Sequence, residues 1–174
     1  MAIILGIDPG SRVTGYGLIN ATGNKLEFVA CGAIRTGDDE HPERLRKIFD
    51  GLSQVIEKYC PQQAAIEEIF MGRNAAAALK LGQARGSAIV ACLHNGVPLE
   101  EYSARKIKQA VVGKGAAEKK QVQHMVKALL GITADLQEDS ADALGVAICH
   151  ANTQAGLIRM AGARKFSRRR LKVQ

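Results

Sequence analysis

Apolar and polar positions change period several times along the chain, and each change predicts an element. AIILGID, residues 2–8, is an unbroken apolar run closed by an acid, the pattern of a strand buried on both faces. VTGYGLINAT and LEFVACGAIRT follow, set off by glycines and a TGN turn, and the three runs read as an antiparallel meander. In HPERLRKIFDGLSQVIEKYC, the apolar positions Leu45, Ile48, Phe49, Leu52, Val55, Ile56 and Tyr59 recur at three and four, with Pro42 in the first turn. This spacing predicts an amphipathic helix of about five turns. QAAIEEIF returns to strand character, AAAALKLGQARGSAIVACLHN to a helix rich in alanine and glycine, and VPLEEYS to a fifth strand. A short helix at Ala104 to Val112, a loop GKGAAEKK, and helices over QVQHMVKALLG and DSADALGVAICHAN complete the order. The apolar period fades at about Gly156, after which the chain reads as a tail that does not join the core.

Length and charge narrow this picture. At 174 residues and 47% hydrophobic, the chain suits one globular domain, and it holds no apolar run long enough to cross a bilayer. Its N-terminus lacks the basic segment and cleavage site of a signal peptide, so a cytosolic (cytoplasmic) protein is expected. Cys31, Cys60, Cys92 and Cys149 form no CxxC pair, which argues for reduced, mostly buried thiols over a zinc ribbon or a disulfide framework. The formal charge of +7 and pI near 9.4 favour a polyanionic partner. Six cations and no acid occupy RKFSRRRLKVQ at the end of the chain, and Lys106, Lys108, Lys114, Lys119 and Lys120 precede the last predicted helix. Solvated helix faces and a solubilising tail would produce the same distribution.

Most of the seventeen acids fall on predicted polar faces. Asp8 does not: a carboxylate closing an apolar strand is expensive to desolvate without a positive partner. Glu67 and Glu68 interrupt another strand, and alternation sends one of them into a site or onto an apolar face without saying which. Asp139 and Asp142 stand three apart at the start of the last helix, on one face, where capping and the helix dipole suffice to account for them. Should the strand and helix acids converge, they form a cluster of hard oxygen donors whose mutual repulsion calls for Mg²⁺ or Mn²⁺. Two such ions about 3.5–4 Å apart suit in-line attack on a phosphodiester.

GIDPGSRVTGYG, AIEEIFMGRNAAAALKLGQARG, KQAVVGKGAAEKKQVQHMV and DSADALGVAICH lie in this order across about residues 2–152. These blocks resemble those of the RuvC family of bacterial Holliday junction resolvases. The resemblance implies an α/β, ribonuclease H-like fold with a mixed five-stranded sheet flanked by helices. Residues 1–155 would form the nuclease domain and 156–174 a basic, flexible tail. It further implies a homodimer that nicks two opposed strands of like polarity at a four-way DNA junction. Mg²⁺ is the implied cofactor, two ions per site with Mn²⁺ able to substitute, and the branch-migration proteins RuvA and RuvB are the implied partners. The family's acidic ligands fall on Asp8, Glu67, Asp139 and Asp142, which selects Glu67 over Glu68. Phe70 matches an aromatic at the junction centre that stacks on an unpaired base, although by itself it reads as a core residue. Lys108 and Lys119 match DNA-contacting cations, and Arg73 and Asn74 in the loop after Phe70 are expected phosphate contacts. His124 and His150 lack metal-ligand spacing and read as packing or surface residues.

Other classes fit less well. Ribonuclease H-like nucleases of ribosomal RNA processing share the glycine-flanked strand aspartate, as do actin-like ATPases and sugar kinases. The last two need about twice this length for their two lobes, and GKGAAEKK lacks the GxxxxGK[ST] phosphate loop. A DNA-binding architectural module with inert acids would need no divalent metal, and would leave Asp8 and Glu67 unexplained. Two cuts and one carboxylate cluster per chain require a dimer, with the Ala/Gly-rich helix from Asn74 to Asn95 as its expected interface.

Overall fold

The computed structural model describes residues 1–69 and 74–170, the stretch 162–170 by backbone alone. Strands β1 (Ala2–Asp8), β2 (Val13–Thr22) and β3 (Lys25–Arg35) come first. They are followed by α1 (His41–Tyr59), β4 (Gln63–Glu67), α2 (Ala75–His94), β5 (Leu99–Tyr102), α3 (Ala104–Val112), α4 (Lys119–Leu130) and α5 (Glu138–Arg170). The strands form one sheet in the order β3-β2-β1-β4-β5. The meander pairs are antiparallel, whereas β4 joins β1, and β5 joins β4, in parallel. Parallel neighbours cannot be joined by a hairpin, and α1 and α2 supply the two crossovers. The expected α/β class with a mixed five-stranded sheet is what the chain adopts.

Alternation along β1 assigns the two faces of the sheet. Leu5 and Ile7 point to one side, where they pack with Ile48 and Leu52 of α1 and Ala88 of α2. Ile4 points to the other and meets Leu144 and Ile148 of α5. Burial on both faces is why this strand reads as a continuous apolar run. Helix α5 lies so close to the sheet that only glycine fits beneath it. A Cβ on Gly6 would stand 2.1 Å from the Ala143 carbonyl oxygen, one on Gly15 2.1 Å from that of Asp139, and one on Gly17 2.7 Å from Leu144 Cγ.

Three boundaries differ from the expected ones. Strand β4 stops at Glu67, so Glu68 and Ile69 lie beyond it although QAAIEEIF reads as one strand. Helix α4 begins two residues early, at Lys119, because the Gln121 side chain accepts the Glu118 N–H at 3.2 Å and starts the helix there. Helix α5 runs through Gly156 to Arg170 where a tail was expected from Gly156. Apolar periodicity reports burial, not helicity. Beyond Gly156 the helix leaves the core, with Leu157, Ile158 and Met160 exposed, while leucine, alanine, arginine and lysine sustain the turns by propensity. The cysteines are free; Cys92 and Cys149 are buried, Cys31 is half-buried, and Cys60 is exposed where it ends α1. Among the described residues, no helix is long and apolar enough to cross a membrane.

Candidate active site

The site is assembled by strand register. Parallel pairing sets Ile7 opposite Ile66, so β1 and β4 end side by side with Asp8 next to Glu67. On its other flank Asp8 pairs with Gly15 of β2, the glycine against which Asp139 rests. Asp8 shares its face with Ile4 and Gly6, and Glu67 shares its face with Ala65, which packs against Ile107 and Val146. Both carboxylates therefore face the layer of α3, α4 and α5. The turn after Asp8 is held by the Thr14 hydroxyl, which donates to the Gly10 carbonyl at 2.9 Å and accepts the Gly10 N–H at 3.4 Å. A Cβ on Gly10 would lie 2.0 Å from the Val13 carbonyl oxygen, so that turn admits no other residue without shifting.

Asp8, Glu67, Asp142, Lys108 and Lys119 line one cavity of about 330 Å³, with Ala104, Ile107 and Val122 as its apolar wall. Burial, joined by the charges of Glu67, Asp142 and Asp139, pushes the Asp8 carboxyl up to about 7 against the pull of Lys119. Burial and the Asp142 carboxylate likewise raise Glu67, with Lys108 and Lys119 opposing. Burial raises Asp142 despite its bond to the Lys119 ammonium at 2.9 Å. Burial works against the charge on Lys119, but hydrogen bonds to Asp142 and Glu138 outweigh it and hold the ammonium well above its ordinary range. The cluster is thus short of positive charge, which Lys119 supplies only in part. Among the described residues, no three His, Cys, Asp or Glu side chains are already gathered tightly enough to hold an ion. The donor set nevertheless fits a hard divalent cation: it is all carboxylate and half-buried, and Asp8, Glu67 and Asp142 are raised by burial and by neighbouring carboxylates.

The remaining predicted residues are distributed as follows. Asp139 occupies the first turn of α5 and does not line the cavity, but it is near enough for its charge to act on Asp8. Glu68 lies past the end of β4, its N–H donated to the Tyr102 carbonyl at 2.9 Å. Asn74 caps α2, its side-chain oxygen accepting the Ala77 N–H at 3.1 Å, and it does not line the cavity. Phe70 and Arg73 lie outside the described residues. His150 is a buried packing residue, bonded to the Tyr102 hydroxyl and to Gln63 Oε1, each at 2.9 Å; His124 is exposed. Sequence reasoning missed Glu138, which shares Lys119 with Asp142, and Arg85, whose guanidinium reaches the backbone of Glu67. The one available signal for Arg85 was a cation in the otherwise apolar second half of α2.

A pH dependence follows from Asp8. In the folded chain its carboxyl keeps a proton to about pH 7, against an ordinary value of 3.8, so between those pH values the native state binds more protons than the unfolded one. Stability of the metal-free protein therefore falls as pH rises from about 4 to about 7, then levels off. Thermal melts in EDTA are expected to show this decline. Asp8→Asn flattens it and is more stable than wild type at pH 8 by at least about 1 kcal/mol, or about 2–4 °C in Tm. A wild-type Tm that climbs over this window would contradict the buried, mutually repelling arrangement.

Comparison with known proteins places this geometry. The family profile of crossover junction endodeoxyribonuclease RuvC matches residues 4–150. The protein of that name from Saccharophagus degradans is 59% identical over 172 residues, covering 98% of this chain and 99% of its own length. The one from Teredinibacter turnerae is also 59% identical, over 175 residues with the same coverage. Among solved structures, Thermus thermophilus RuvC in complex with a Holliday junction substrate superposes with a TM-score of 0.84 at 32% identity, covering 89% of this chain and 96% of that one. The ribonuclease H-like fold and the enzyme class agree, and the chain belongs to the RuvC family of crossover junction endodeoxyribonucleases, which are metal-dependent nucleases.

Proposed function

We propose that this chain is a cytoplasmic, dimeric Holliday junction resolvase acting with two Mg²⁺ per site, for which Mn²⁺ substitutes. The observation that carries this reading is the meeting of Asp8, Glu67 and Asp142 in one cavity with Lys108 and Lys119, with Asp139 near enough for its charge to act on Asp8. The residues that would hold the ions are Asp8 and Glu67, at the ends of two parallel strands, and Asp139 and Asp142, in the first turns of α5. Divalent ions, when bound, polarise the scissile phosphate and lower the pKa of the attacking water. Lys108 and Lys119 flank the carboxylates and offset phosphate charge. Asn74 marks the N-terminus of α2, where unpaired N–H groups favour a phosphate, with Arg73 beside it in sequence. Phe70, next to these, is proposed to stack on an unpaired base at the junction centre.

The dimer contact is proposed to lie on α2. Leu79, Gly86, Val90 and Leu93 follow one another at seven, four and three residues, the spacing of one helix face. The three apolar side chains are 66%, 55% and 60% exposed, and nothing stands within 4 Å of a Cβ built on Gly86. A second copy crossing there buries a stripe that the single chain leaves in water. RuvA and RuvB, which move the junction, are the proposed partners in the cell.

The test is a labelled immobile four-way junction beside a matched duplex, each with Mg²⁺ or with EDTA. Paired nicks in opposed strands of the junction alone, only with Mg²⁺, are expected, from a protein that sediments as a dimer and that Leu93→Glu converts to monomer. Equal cutting of the duplex, or cutting in EDTA, would remove this reading.

A further inference from the structure

Glu67 differs from the three aspartates in how it is held. Asp139 and Asp142 belong to the long helix α5, and Asp8 closes β1 paired with Gly15 of β2. Glu67 is the last residue of the five-residue strand β4, paired with Tyr102 of β5, and the Glu68 N–H bond to the Tyr102 carbonyl is the last backbone tie to that strand. On the face of the sheet opposite the cavity, Arg85 of α2 reaches this strand end. Its Nε–H donates to the Glu67 carbonyl oxygen at 3.2 Å, and its Nη2 pairs with the Glu101 carboxylate of β5. Glu101 is the register partner of Ile66, one residue before Glu67. One planar guanidinium thus bridges a helix and two adjacent strands, with its donors fixed in a fork that a lysine cannot reproduce. The Arg85 side chain is 18% exposed, and Glu101, 47% exposed, balances its charge.

We propose that Arg85 is a positioning residue for metal binding: by fixing the backbone of Glu67 from behind the sheet, it sets where the Glu67 carboxylate points in the cavity. It touches neither substrate nor carboxylate. Its effect passes through one carbonyl group, and holding that peptide plane limits how the Glu67 backbone, and with it the Cα–Cβ bond, can turn. Released from the guanidinium, the strand end turns more freely, and a carboxylate already raised in pKa by burial and by Asp142 swings out toward water. The cost then falls on metal affinity, since groups that orient a ligand typically contribute about 10–100-fold to it. A plain staple between α2 and the sheet would instead change stability and leave the metal requirement where it was.

This inference rests on the proposal that Glu67 is a metal ligand, and the experiment separates the two. Wild type, Arg85→Gln, Arg85→Lys, Glu101→Gln and Glu67→Gln are compared by three readouts. These are the Mg²⁺ concentration for half-maximal junction cleavage, the rise in Tm on adding Mn²⁺, and junction affinity in EDTA. Arg85→Gln is expected to raise the Mg²⁺ requirement about tenfold or more and to shrink the Mn²⁺-induced rise in Tm, with affinity in EDTA unchanged. Arg85→Lys falls between, because an ammonium satisfies one acceptor at a time. Glu101→Gln, at an exposed position that tolerates substitution, shifts the requirement in the same direction by less, and carries the test if Arg85→Gln does not fold. A wild-type Mg²⁺ requirement and Mn²⁺ shift in both Arg85→Lys and Glu101→Gln would overturn the positioning role, whatever their stability. Undiminished cleavage by Glu67→Gln would overturn the ligand assignment, and the inference with it.

Discussion

Asp8→Asn, Glu67→Gln, Asp139→Asn and Asp142→Asn are each expected to lower junction cleavage by at least about 1,000-fold, while junction binding in EDTA stays within a few-fold of wild type. Each amide keeps the volume of the acid and removes its charge, so what is lost is affinity for the ion and the several kcal/mol of transition-state stabilisation it supplies. Folding should survive in all four. Asp8, Glu67 and Asp142 repel one another when ionised, and taking away one charge relieves the others. Asp139→Asn forgoes only a favourable charge in the first turn of α5, about 0.3–1 kcal/mol. Glu68→Gln, past the end of β4, should cut normally. The measurements are product formation on a denaturing gel, a binding titration without metal, and a thermal melt. Should Glu68→Gln lose cleavage while Glu67→Gln keeps it, the strand-face assignment would be reversed.

Two glycines, one in β1 and one in the α5 that covers it, should respond to alanine with opposite sign. In Gly6→Ala, the new Cβ would meet the Ala143 carbonyl oxygen at 2.1 Å and the Ala147 backbone nitrogen at 2.6 Å. Both are backbone atoms of α5 and neither can rotate away, so the helix must lift off β1. The expected loss is about 3 kcal/mol, roughly 6–12 °C in Tm for a chain of this length. The lift also carries Asp139 and Asp142 away from Asp8, and residual folded protein should cut poorly. Gly145→Ala lies on α5 itself, where the added methyl meets Ile107, Val126 and Val111 at 3.6–3.9 Å, ordinary packing distances. There the helix gains about 0.8–1.0 kcal/mol in propensity, and the variant should be as stable as wild type or more so. Thermal unfolding of both decides it; a tolerated Gly6→Ala would show that α5 does not rest on β1 as described.

Much of this protein is legible in its sequence because its elements declare themselves by period. The meander, the amphipathic α1, the alternation of helix and strand and the acid closing β1 all follow from local patterning. Element ends were less legible. The start of α4 depends on a reciprocal cap between Glu118 and Gln121, and α5 continues beyond its buried face because propensity, not burial, sustains it. Glu67 and Glu68 show the limit most clearly. Alternation states that neighbours face opposite ways, but which way is up depends on what lies on each side of the sheet, and that requires β4 to be paired with β1 and covered by α3 and α5.

By itself, then, the sequence determined the order and type of the elements, the acid that closes β1, the spacing of Asp139 and Asp142, and the excess of basic charge. These depend on spacings of a few residues and on charge that no fold alters. Only the tertiary structure decided that acids up to 134 positions apart, Asp8 to Asp142, meet in one cavity. It also decided that Gly6, Gly15 and Gly17 exist to let α5 descend onto the sheet, and that Lys119 sits among the acids while Arg85 reaches Glu67 from behind. The reason is physical: long-range contacts are set by strand register and by how closely two layers approach, and neither leaves a period in the chain.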